Sequence, residues 1–126
     1  MNTFAKMTKA KKGELEVALA EYLHRLTGLD DVRVSVEVDR TDNKGEYLSV
    51  ESNELASYQY PKMFKSLKVG SFGGGWVPDF KRNEDVYWVP LRYRYEHFSG
   101  GRNGSEIATF WIAKDGTIVN YKNELE

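Results

Sequence analysis

Cysteine is absent from the 126 residues, so disulfides and thiolate metal sites are excluded and a reducing compartment, the cytosol by default, is the expected setting. Histidine occurs only twice, at His24 and His97, too sparsely for a cluster of ring nitrogens, which leaves carboxylates as the remaining ligands. Those carboxylates are badly spaced. Asp30-Asp31 and Glu84-Asp85 are adjacent pairs that point apart on a strand or turn, and Asp39, Asp42 and Glu46 lack the calcium-loop spacing. No metal and no cofactor is expected. No segment approaches the roughly 18 apolar residues of a membrane span, and no leader pattern opens the chain, so a soluble, unprocessed protein without a membrane partner is expected. Charge of one sign is also lacking overall: the net charge of −1 argues against generic polyanion binding.

The charge that is present falls in blocks. Met1 to Lys12 holds four lysines and no acid, forming a basic arm that frays; Gly13 to Glu54 holds eleven acids against four bases; Leu55 to Arg82 holds five bases against Asp79 alone. Distinct acidic and basic faces follow if the blocks stay together in space. At this length, one domain over residues 1–126 is expected, burying about two thirds of its unfolded surface.

Leu15, Ala18, Leu19, Tyr22, Leu23 and Leu26 recur at helical spacing and form one apolar stripe. Thr8 suits the N-cap and Gly28 a left-handed stop, while Gly13, costing roughly 1 kcal/mol relative to alanine, marks an alternative start. Val32, Val34, Val36 and Val38 alternate with polar residues as a strand; Asp42 to Gly45 supplies a turn, and Tyr47 to Glu51 returns. Ser52 or Asn53 can cap a short helix through Tyr58, interrupted by Pro61, with Met63, Phe64 and Leu67 offering another helical turn. Val69 to Asn83, with Gly73, Gly74 and Gly75 between aromatics, reads as a loop. Val86 to Phe98 alternates as a strand, with Tyr87, Val89, Leu91, Tyr93, Tyr95 and His97 at one parity and Pro90, Arg92, Arg94 and Glu96 at the other. A glycine-rich turn, a strand from Glu106 to Ala113, an Asp115-Gly116 turn and a strand from Thr117 to Tyr121 complete a meander.

The expected class is α+β: one long N-terminal amphipathic helix on a curved antiparallel sheet of about five strands, in the order α-β-β-short α-β-β-β. This order of elements, with the Lys114-Asp115-Gly116 turn between the last strands, broadly resembles cystatin-like and nuclear-transport-factor-like cones. The resemblance is architectural and implies no functional residues.

Chemistry-bearing residues are few. His97, Tyr95, Arg102 and Glu106 could assemble a metal-independent ribonuclease, the arginine holding phosphate while the others move protons; a strand-end histidine meeting solvent is the structural alternative. His24, at the edge of the helical stripe, reads as a surface residue. The three glycines lack the G-x-x-x-x-G-K context of a phosphate loop, since Trp76, Val77 and Pro78 follow. Phe72, Trp76 and Phe80 around them suit partner anchoring. Lys62, Lys65 and Lys68, with Lys81 and Arg82, could form a basic patch beside these rings, fitting single-stranded nucleic acid or an acidic protein surface. Arg92 and Arg94 would be hard to bury under a helix and are expected to face outward with Glu96.

A non-catalytic protein-binding module is the expected function: a small inhibitor or accessory protein that occludes a larger partner, such as a nucleic-acid-processing complex. Compact single-domain phage and mobile-element proteins that antagonise bacterial defence nucleases, and immunity proteins, share this profile. Direct nucleic-acid binding is one alternative, and a small ribonuclease or ligand-binding cone another. No motif specifies the partner or the oligomeric state.

Overall fold

The structure, a computed structural model, describes residues 2–41, 45–55, 64–97 and 100–124, with backbone alone at 41, 64–67, 94–97 and 100–105. The one helix among the described residues, α1 (Lys9–Thr27), starts where Thr8 is extended and accepts the Lys11 N–H through its side-chain oxygen at 3.1 Å. It stops where Gly28 turns left-handed, φ +71°, and donates to the His24 carbonyl at 2.8 Å. Gly13 lies inside the helix, so the start falls at Thr8. The face carrying Leu15, Leu19 and Leu23 is buried.

Seven strands follow among the described residues: β1 (Val34–Thr41), β2 (Gly45–Ser52), β3 (Phe64–Ser71), β4 (Gly75–Asp79), β5 (Glu84–His97), β6 (Gly100–Ile112) and β7 (Ile118–Asn123). All pair antiparallel in one sheet, ordered β1-β2-β3-β5-β6-β7, with β4 also on β5. The α+β class is thus the expected one, but the sheet has seven strands where about five were expected. Two differences account for the excess. Phe64 and Leu67, expected in a helical turn with Met63, belong to β3; Met63 lies outside the described residues. Val69 to Asn83, expected as a loop, contributes the end of β3, all of β4 and a short turn. The short helix expected from Ser52 to Tyr58 is not formed at residues 53–55, and its remainder, with Pro61, lies outside the described residues. Gly100 to Ser105, expected as a turn, opens β6.

One physical cause underlies the first two differences. β5 is fourteen residues long, and β3 and β4 lie end to end along it. Ser71 faces Leu91 and Gly75 faces Trp88, so three residues, 72 to 74, span the interval that two residues of β5 span. This is a bulge of one residue. Gly73 at φ +79° and Gly74 at φ +133° supply backbone angles that side chains resist. The glycine run is therefore a splice within a strand, and the Phe72 N–H still reaches the Pro90 carbonyl at 3.1 Å.

The bulge swings β4 away from β2, whose register with β3 is a single pair, Glu51 with Gly70. Side chains suture the resulting cleft. Ser71 Oγ accepts the Val50 N–H at 2.9 Å, Ser52 Oγ accepts the Val69 N–H at 2.9 Å, and Trp76 Nε1 donates to the Glu46 carbonyl at 2.7 Å. The Val50 N–H and Glu46 carbonyl on β2 and the Val69 N–H on β3 would otherwise be costly to bury.

Pleating sends Tyr87, Val89 and Leu91 of β5 toward α1, where they join Leu15, Leu19, Leu23, Val36, Leu48, Val69, Ile107 and Phe110 in the core. Full burial of one such side chain is worth roughly 1.5–3 kcal/mol. The outer strand β1 would expose unpaired amides along its rim, but Glu16 on α1 reaches over and its carboxylate accepts the Val36 N–H at 2.8 Å. Among the described residues no helix is long and apolar enough to cross a membrane.

Candidate docking face

Because Tyr87, Val89 and Leu91 point at α1, their neighbours Val86, Trp88, Pro90 and Arg92 lie on the opposite side of the sheet. Antiparallel register places same-face partners beside them: Val77 opposite Val86, Trp111 opposite Trp88, Thr109 opposite Pro90. Gly75 faces Trp88, and a methyl group there would come within 3.3 Å of the indole nitrogen. The outer side of β4, β5 and β6 is thus an apolar strip, with α1 committed to the other face.

At one end the strip runs into the β4–β5 turn. Asp79 Oδ1 accepts the Lys81 N–H at 3.0 Å and the Arg82 N–H at 3.3 Å, Asn83 takes the left-handed angle of φ +54°, and Arg82 Nε meets Glu84 at 3.3 Å. The braced turn holds Phe80 out at 91% exposure, with Lys81 beside it. A groove of about 520 Å³ beside Phe80 is lined by Val77, Pro78, Val86, Trp111 and Val119, with Asp79, Lys81 and Asn120 at its polar side. At the other end of the strip Phe72, 46% exposed, lies under the Arg92 guanidinium, 4.7 Å from the ring centroid. Farther across the face Lys68 pairs with Glu51 at 3.7 Å.

Of the residues singled out from sequence, Phe72, Phe80, Lys68, Lys81, Arg82 and Arg92 thus lie on or around this face. Trp76 does not. Its ring packs at 4.9 Å from Phe4 and 5.4 Å from Tyr87, and its indole N–H is spent on Glu46, so it fastens the core. Lys62 lies outside the described residues; Lys65 on β3 and Arg94 on β5 are placed by backbone only, Arg94 opposite Lys68. Trp88, Trp111, Val77 and Val86 were not singled out, although Val86, Trp88 and Pro90 stand in the sequence as apolar residues at the parity opposite Tyr87, which signals a strand that is apolar on both faces.

The ribonuclease set is spread along the ladder. Tyr95 faces Arg102 and His97 faces Gly100, whereas Glu106 faces Arg92, four residues farther along β6 than Arg102. Glu106 accepts the Thr109 hydroxyl at 3.4 Å. His24 Nδ1 lies 2.6 Å from the Leu29 carbonyl at the end of α1, a local contact that ties the helix to the following turn. Among the described residues no three carboxylates or histidines gather as metal ligands.

A second basic locus lies at the turn end of the sheet, where Lys6, Arg82 and Lys114 line a cleft of about 410 Å³ with Glu84 and Asp115. The Thr117 N–H, 2.9 Å from Oδ1, holds the Asp115 carboxyl below its ordinary value, with smaller help from Lys11 at 3.6 Å. Three cations against two carboxylates make a mixed surface, not a track for a polyanion. No family model, no curated protein and no solved structure matches this chain.

Proposed function

We propose that the protein is a non-catalytic binding module that covers part of a larger protein partner with the outer face of its sheet, in the manner of an inhibitor or accessory subunit. The observation that carries this reading is the exposure of Phe80 on a braced turn beside a groove lined by Val77, Pro78, Val86, Trp111 and Val119, on the sheet face that also holds Trp88 and, at its other end, Phe72 beneath Arg92. Aromatic rings and arginine on a rigid support are the residues that dominate protein interfaces, since they bury much area at little conformational cost. Lysines and carboxylates interleave around the strip, which suits a protein surface better than a phosphate backbone.

Tagged protein is used to capture partners from extracts of its host, and the captured species is identified by mass spectrometry and purified for titration. Replacing Phe80 by alanine removes a ring that contributes nothing to the core, so folding is unchanged while affinity falls by about 2 kcal/mol. Lys12→Ala, on the helix, leaves affinity as it was. Equal affinity of wild type, Phe80→Ala and Trp111→Ala for the purified partner overturns the reading. A steep loss of binding with salt, carried by bound nucleic acid, replaces it with the nucleic-acid alternative.

A further inference from the structure

Arg92 is half-buried on an apolar face, and its Nε, shielded from solvent, has no hydrogen-bond acceptor among the described residues. An arginine in that position normally holds a carboxylate, because an unsatisfied buried N–H on a charged group is costly. Its own row across the sheet holds two candidates, and neither serves. Glu106, directly opposite on β6, accepts the Thr109 hydroxyl at 3.4 Å, and Glu51, beyond Gly70 on the other side, pairs with Lys68 at 3.7 Å. Gly70 contributes no side chain to fill the space between. Register shifts on either side of Arg92, between Leu91 and Arg92 and between Arg92 and Arg94, interrupt the β5–β6 ladder where this side chain departs. The guanidinium carbon lies 4.7 Å from the Phe72 ring centroid, so the ring covers one face of the group, and with Nε closed off from solvent the terminal Nη groups are the donors left for a ligand.

From this arrangement we infer that Arg92 is the receptor for a carboxylate of the partner, presented by an aspartate or glutamate side chain set among apolar residues that cover Phe72 and Trp88. The inference rests on the protein-binding reading above and names the partner's chemistry at that face. A single carboxylate fits better than a phosphate chain. Glu51 and Glu106 flank the arginine and Lys68 is already paired, so a run of phosphates would meet about as much repulsion as attraction. A lone carboxylate in an apolar frame meets one preorganised fork, shielded from water by the neighbouring rings.

The test uses the folded full-length protein against a random-peptide display library, with oligothymidine as the polyanion probe. Expected are peptides that share an acid between apolar residues. Their binding falls roughly thirtyfold in Arg92→Met and when their acid is changed to its amide, while Arg92→Lys retains part of it. Glu106→Gln, which keeps the arginine and removes a neighbouring negative charge, tightens the same peptides and reads the site even where Arg92→Met fails to fold. Selected peptides without an acid, or peptides indifferent to Arg92→Met and Glu106→Gln, overturn the carboxylate receptor and leave the protein-binding face standing. No selected peptide, with oligothymidine bound through Arg92, overturns both. Silence from both probes overturns the receptor alone.

Discussion

A methyl group on Gly74 would stand 2.7 Å from the Tyr87 hydroxyl and 2.8 Å from the Trp88 carbonyl oxygen, at a backbone angle of φ +133°. Both the space and the angle exclude alanine, so Gly74→Ala is expected to lower stability by about 3 kcal/mol, read as a shift of the urea midpoint at unchanged slope. The hydroxyl it would strike has its own effect. Burial pushes the Tyr87 phenol above its ordinary value of 10.0, against a smaller opposing effect from the Leu48 backbone amide. Such a tyrosine keeps its proton in the fold after the unfolded chain has lost it. Its contribution to stability is therefore complete below pH 10 and is lost as the pH climbs through the raised value. Tyr87→Phe should accordingly flatten the alkaline limb of a stability–pH curve. Tyr93, raised by burial too, keeps the remainder of the slope. An alkaline limb identical to wild type would contradict this assignment.

For single elements, what could be read from sequence depended on how many local signals agreed. α1 carries three: the stripe from Leu15 to Leu26, Thr8 before it and Gly28 after it. Its end was legible and its start lay between Thr8 and Gly13, and Thr8→Ala is expected to cost about 1 kcal/mol in thermal or denaturant melting because the Lys11 N–H loses its acceptor. The valine alternation of β1 and the Asp115-Gly116 turn were legible for the same reason. β3 and β4 were not. Phe64 and Leu67 satisfy a helical spacing over too short a run to exclude a strand, and only the length of β5 decides between them. The three glycines have no period at all, since a bulge is defined by the partner strand it is mismatched against. Local sequence cannot report a mismatch with residues some fifteen positions away.

At the scale of the whole molecule the same limit explains the candidate site. Phe72, Phe80 and Arg92 were legible as side chains with no obvious place in a core. The place of Trp76 was not legible, because the face of a tryptophan is fixed by the register of its strand and β4 was not visible as a strand, whereas Trp88 stood at the parity opposite Tyr87 on a strand that was. Once β4 is laid on β5, Trp76 falls beside Tyr87, and Trp88 and Trp111 fall on the far side.

The carboxylate that α1 extends to the Val36 amide has a consequence beyond the fold of one chain. An open rim with a free row of amides is a growth point onto which further copies can add, layer upon layer, and here a single glutamate stands guard near its start. Glu16→Ala is expected to leave the helix content of the monomer intact while converting concentrated solutions to thioflavin-positive fibres, with Glu16→Gln, whose amide oxygen still accepts, much slower. Clear solutions of Glu16→Ala after prolonged agitation would place the guard elsewhere. The proposed docking face could then be as sticky as its role demands without the chain polymerising, because attraction and templating reside on different sides of the same sheet.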